Sequence, residues 1–130
     1  YRMSISYKSR RMVSNYPGKE KVGFMATKAN GKTIHTDELC RTIADKTTLS
    51  TADVKGVIEA VVCELESSLE EGNQVHIGDM GTFGITLTSP TVEKPEELRA
   101  NYVTVKSINY LPSTRIKERL RKATFTKAGK

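Results

Sequence analysis

Apolar positions along the chain change their spacing three times, and each change marks an element. Residues 4–13 alternate weakly, with Ile5, Tyr7, Met12 and Val13 around a basic pair. Val22-Gly23-Phe24-Met25-Ala26 forms a second short alternating run. Turn chemistry at Tyr16-Pro17-Gly18 and Ala29-Asn30-Gly31-Lys32 separates and ends them, so a strand–turn–strand unit is predicted. From Thr36 the spacing becomes helical. Thr36 is a hydroxyl cap followed by Asp37 and Glu38, acids that favour the positive end of a helix dipole. Leu39, Ile43 and Ala44 supply the apolar face, which predicts a helix over 36–47. Ser50 and Asp53 form a shortened capping box, with Leu49 and Val54 placed as a hydrophobic staple. Val54, Val57, Ile58, Val61, Val62, Leu65 and Leu69 then follow at intervals of three and four, predicting an amphipathic helix over 50–71 that stops at Gly72.

After Gly72 the period falls to two. Val75 and Ile77, a tight turn at Gly78-Asp79-Met80-Gly81, and Phe83, Ile85 and Leu87 predict a hairpin over 74–88 with one apolar face. Pro90, Pro95 and a polar stretch make residues 89–101 a connection, with one helical turn at Pro95-Glu96-Glu97-Leu98. A third strand is predicted over Tyr102–Tyr110, ended by Pro112-Ser113. Thr114–Lys122 reads as a short basic helix with Ile116 and Leu120 inward, and Thr124-Phe125-Thr126 as a last strand.

Charge adds a second layer. The net +6 of this 130-residue chain is unevenly spread. Residues 1–34 set Arg2, Lys8, Arg10, Arg11, Lys19, Lys21, Lys28 and Lys32 against Glu20 alone. Residues 35–90 are strongly acidic. Residues 113–130 are basic again, with Arg115, Lys117, Arg119, Arg121 and Lys122 crowded on the last helix. Two basic ends around an acidic middle point to a polyanion touched by the ends. Arg115, Arg119 and Lys122 share one helix face.

Enzyme chemistry finds no footing. His35 and His76 lie far apart, and no His/Cys/Asp set has metal-ligand spacing. Gly78-Asp79-Met80-Gly81 lacks the Gly-Lys-Ser/Thr end of a phosphate loop. No nucleophile–base pair is present, and no metal, cofactor or small-molecule substrate is expected. Cys40 and Cys63 build no disulfide framework and read as reduced, half-buried residues of a cytosolic protein. The longest apolar run, Val57–Cys63, is interrupted by Glu59, so no membrane helix is expected, and Tyr1–Ser6 has no secretory h-region. Met3 is a candidate first residue, which leaves the origin of Tyr1 and Arg2 open.

The order helix, helix, hairpin, connection, strand, short basic helix resembles the HU/IHF family of bacterial DNA-architectural proteins. Three blocks carry the resemblance. Leu49-Ser50-x-x-Asp53-Val54 is similar to the family's entry to its second helix. Leu69-x-x-Gly72, a short strand and Gly81-Thr82-Phe83 resemble the family's Leu-x-x-Gly … Gly-[Thr/Ser]-Phe. Tyr110-Leu111-Pro112-Ser113-Thr114-Arg115-Ile116-Lys117 is similar to Phe-x-Pro-Gly-x-x-Leu-Lys, with tyrosine for phenylalanine and serine for glycine. The resemblance covers about residues 35–122. The family's Arg-Asn-Pro arm tip is missing, with Glu93, Glu96 and Glu97 in its place, and the basic N-terminal extension is an addition. Both point to a divergent branch.

The resemblance implies an α+β, HU/IHF-like fold: a helix pair under a small antiparallel sheet, a short C-terminal helix and extra N-terminal strands. It implies two parts, a basic strand extension over 1–34 packed on an HU-like DNA-binding domain over 35–130. It also implies an intertwined homodimer with Val57, Ile58, Val61, Leu65 and Phe83 in its core. The expected function is non-catalytic, histone-like binding of duplex DNA through phosphates in the cytoplasmic nucleoid. The expected contacts are Arg10, Arg11, Lys19, Lys21, Arg99, Lys106, Arg115, Lys117, Arg119, Arg121 and Lys122. The alternative is a dimeric scaffold of the same fold that binds protein.

Overall fold

The computed structural model describes residues 4–13, 18 and 21–128. The Tyr16–Pro17 half of the first predicted turn, and Lys19, lie outside the described residues. The chain is α+β and divides into two compact units. One takes the residues up to Thr33 together with those from Glu118 onward; the other is Ile34–Lys117. The thirteen C-terminal residues thus cluster with the N-terminal strands and not with the helix pair.

The first unit is a three-stranded sheet in the order β2-β1-β6, built from β1 (Ser4–Val13), β2 (Val22–Lys28) and β6 (Thr124–Lys127). β1 and β2 run antiparallel, with Tyr7 opposite Lys28 and Arg11 opposite Phe24. β6 pairs parallel to β1, with Ile5 opposite Phe125 and Tyr7 opposite Lys127. Parallel pairing needs a long crossover, and here nearly the whole chain intervenes.

In the second unit, α1 (Thr36–Lys46) packs on α2 (Thr51–Glu70). The cap of α1 is His35, and it makes no side-chain cap bond; Thr36, expected as the cap, is the first helical residue. Its hydroxyl is therefore one position too late to reach the free N–H groups. α2 is capped as its sequence predicts. The Ser50 hydroxyl accepts from the Asp53 N–H at 3.1 Å, and the Asp53 carboxylate accepts from the Ser50 N–H at 3.2 Å. At its C-terminus Gly72, with φ at 86°, donates to the Leu69 carbonyl while Asn73 donates to that of Ser68. That paired pattern is a Schellman stop, and it needs the left-handed backbone glycine adopts freely.

β3 (Val75–Ile77), β4 (Gly81–Thr88) and β5 (Thr104–Pro112) form an antiparallel sheet in chain order. The predicted third strand begins two residues later than Tyr102, because Pro95–Glu97 and Ala100–Tyr102 each close a 3-10 turn. Opposite Thr86 and Leu87 the register slips: Ser107 pairs with Thr86 and Val105 with Leu87, so Lys106 is the extra residue of a β-bulge. The bulge keeps Val105 on the same face as Ile108 and Tyr110, opposite Leu87, Ile85 and Phe83. The Phe83 and Tyr110 rings lie 5.0 Å apart between centroids.

Little of this is enclosed by one chain. Among the described residues only Cys40 and Val54 are buried apolar side chains. Ile58, Leu65 and Phe83 are half-buried. Val57 and Val61, expected in the core, are 55% and 40% exposed. They line an open apolar hollow of about 390 Å³ with Leu65, Val75 and Ile77. A second hollow of about 410 Å³ lies between Val62, Leu65 and Leu69 of α2 and Ile85, Val105 and Ile108 of the sheet. Cys40 is fully buried, whereas Cys63 is exposed, not half-buried.

Candidate nucleic-acid interface

The C-terminal helix α3 (Thr114–Arg121) starts where several hydrogen bonds meet. The turn between β3 and β4 closes through the Met80 N–H to the Ile77 carbonyl at 2.8 Å. Tyr110 donates its hydroxyl to the Met80 carbonyl at 2.6 Å, and the Ser113 hydroxyl donates to the Asp79 carbonyl. The same Ser113 oxygen accepts from the Ile116 N–H at 3.3 Å, which makes Ser113 the cap of α3. Gly81 takes φ at 134°, and a Cβ there would run into the Leu111 carbonyl oxygen. The turn, the end of β5 and the start of α3 are thus one connected corner.

Arg115 belongs to that corner. Its Nη1 lies 2.9 Å from Oδ2 of Asp79, with both side chains largely exposed. Part of its charge is therefore offset within the chain. Arg119 and Lys122 follow at four and three residues on the same helix face, and the Lys122 N–H still bonds back to Glu118 at 3.3 Å. Lys117 and Arg121 occupy another face, also exposed. Ile116 is half-buried as expected, but Leu120 is 59% exposed and does not point into a core.

The other expected contacts are scattered. Arg10 and Arg11 are adjacent on β1, so strand alternation sends them to opposite faces. Lys21 precedes β2. Arg99 begins the second 3-10 turn, and its carbonyl accepts from the Tyr102 N–H at 3.0 Å. Lys106 sits at the bulge of β5. Lys8 shares a face with Arg10 by the same alternation, although it is not among the expected contacts. Period-two counting from Arg10 would have added it.

Elsewhere in the second unit, Lys55 and Asp37 approach to 3.5 Å between α2 and α1. They border an open hollow with His35, Ile58, Glu59 and Cys63. No three His, Cys, Asp or Glu side chains among the described residues are grouped so as to hold a metal ion. No helix among them is long and apolar enough to cross a membrane.

Comparison with known proteins agrees with the element order. A structure from Bacteroides vulgatus, described as a candidate bacterial DNA-binding protein, superposes with a TM-score of 0.67 at 9% identity. The match covers 97% of this chain and 49% of that one, so this chain spans about half the length of that protein. Anabaena HU in complex with DNA superposes with a TM-score of 0.47 at 15% identity, over 68% of this chain and 99% of that one. No curated protein sequence matches. The family model described as an HU domain fused to wHTH, Ig or glycine-rich motif matches residues 3–127. With nearly the whole length matched, the chain belongs to this HU-domain family.

Proposed function

We propose that the protein is a non-catalytic, histone-like DNA-binding protein that grips duplex phosphates with little sequence preference. The observation that carries this reading is the exposed cationic row on α3, where Arg119 and Lys122 continue the face begun by Arg115. Side chains of this kind hold phosphate oxygens without reading base edges. Lys117, Arg121, Lys106 and Arg99 add charge in the same half of the sequence, and Arg10 and Lys21 add it from the N-terminal strands. The acidic arm, with Glu93, Glu96 and Glu97 around short 3-10 turns, would be repelled by phosphates. It has no Arg-Asn-Pro wedge, so the reading includes only mild bending of the duplex.

The active form in this reading is a homodimer. One chain leaves Val57, Val61, Val62, Val105 and Ile108 exposed around the two apolar hollows. Exposed apolar side chains clustered in this way mark an interaction face. A second copy presenting the same stripe would cover it. The same faces support the second reading, a dimeric scaffold with a protein partner.

A gel shift of a random-sequence duplex at several salt concentrations separates the two. Binding that weakens steeply with salt, about −0.9 in log–log slope per phosphate neutralised, supports the duplex reading. No shift even at low salt overturns it and leaves the scaffold.

A further inference from the structure

The sheet of the N-terminal unit has two unlike faces. Cross-strand partners share a face, so the register sorts them. On one face lie Ser4, Ser6, Thr124 and Thr126 with Lys8, Arg10 and Met25, and Ser4 and Thr126 share a hydrogen bond of 2.8 Å. On the other lie Ile5, Tyr7, Arg11, Phe24, Phe125, Lys28 and Lys127. Phe24 and Phe125 on that face are 71% and 60% exposed. Each strand contributes one ring and at least one cation. Phe24 stands opposite Arg11, and Tyr7 stands between Lys28 and Lys127. No strand of this sheet carries a carboxylate. An apolar hollow of about 350 Å³ opens among Ile5, Tyr7, Ala26 and Phe125, with Lys28 at its rim.

We propose that this aromatic and cationic sheet face binds single-stranded nucleic acid, stacking bases on Phe24, Tyr7 and Phe125 while Arg11, Lys28 and Lys127 hold phosphates. The argument is one of complementarity. Exposed rings gain little from a duplex, whose base faces are stacked on one another. A single strand offers bare bases and phosphates together, and aromatic platforms interleaved with cations bind it with little regard to sequence. A protein partner fits less well. Interface cores are depleted in lysine, whereas this face sets two lysines and an arginine among its rings on strands that carry no acid. The proposal stands apart from duplex binding, because it rests on aromatic platforms and takes a different form of the polymer; of its residues only Arg11 is also an expected duplex contact.

Fluorescence anisotropy of a labelled oligothymidylate of about 20 nucleotides, long enough for one such binding module, tests it on the full chain. Phe24→Ala and Phe125→Ala should each weaken binding about fivefold or more and leave duplex affinity unchanged. Phe24→Leu and Phe125→Leu keep the apolar area but lose the π-face, so they should weaken binding even where an alanine variant folds poorly. Phe24→Trp, which installs a fluorophore in a chain without tryptophan, should retain binding and be quenched by it. Wild-type affinity in the leucine variants would overturn the proposal. So would equal losses toward single strand and duplex, or a loss of self-association with oligothymidylate binding intact, which would make the face a protein-docking surface.

Discussion

The Tyr110 hydroxyl and the Ser113 hydroxyl donate to adjacent carbonyls, those of Met80 and Asp79, on the same turn. Both residues stand where the family pattern has a side chain without a hydroxyl, phenylalanine and glycine. The two departures therefore converge on one structural job, fastening the β3–β4 turn to the end of β5. Tyr110→Phe is expected to cost about 1 kcal/mol and Ser113→Gly about 1 to 2 kcal/mol, since the latter loses a cap as well. Because both act on one turn, the double variant should deviate from additivity. Chemical denaturation of the four proteins measures this; strict additivity would show the two bonds to be independent.

Gly81 admits no side chain. Its φ of 134° and the Leu111 carbonyl in the path of a Cβ make Gly81→Ala costly. A loss of more than about 2 kcal/mol is expected, at the severe end for single substitutions. Gly56, in open space on α2, is the control: Gly56→Ala should raise the thermal midpoint, because alanine is the better helix former by up to about 1 kcal/mol.

The cations of α3 should not be equivalent. Arg119→Ala and Lys122→Ala should each flatten the salt dependence of duplex binding by roughly two units of slope, about one for each chain of the dimer. Arg115→Ala should do less, because Asp79 already offsets that guanidinium. Asp79→Asn should strengthen binding by releasing it, and should cost little stability, an exposed ion pair being worth about 0 to 1 kcal/mol. Equal effects of the three alanine variants would mean that the Asp79 contact yields when DNA is bound.

Stability should depend on protein concentration. With Cys40 and Val54 the only buried apolar side chains among the described residues, folding and association are coupled in the dimer reading. Phe83→Ala is expected to cost about 3 kcal/mol, and Ile108→Asp should lower the mass seen by sedimentation. A folded monomer at micromolar concentration, with a thermal midpoint indifferent to dilution, would rule the dimer out.

Much of the second unit was legible in the sequence because its signals are local. The Ser50–Asp53 box, the stop at Gly72 and the period-two runs around Gly78-Asp79 lie within a few residues of what they specify. The end of α1 nearest His35 shows the limit: a threonine before two acids reads as a cap, but the backbone turned one residue earlier. Longer-range features left no trace. The parallel pairing of β6 with β1 joins residues 120 positions apart, and the Asp79–Arg115 contact spans 36. Val57 and Val61 follow the helical period faithfully, yet period reports which face is apolar and not whether the same chain covers it. The aromatic face was missed for a related reason. Phe125 joins Tyr7 and Phe24 only once β6 is placed beside β1.

The ends of α2 are fixed entirely from within, by a capping box at one end and a glycine stop at the other. The helix is thus a rod of 20 residues, about 30 Å long, whose length owes nothing to whatever lies against its stripe. Related chains that keep Ser50, Asp53 and Gly72 would carry interchangeable rods. In the dimer reading, choice of mate would then rest on side chains along the stripe, and mixed pairs would form without either helix being refashioned.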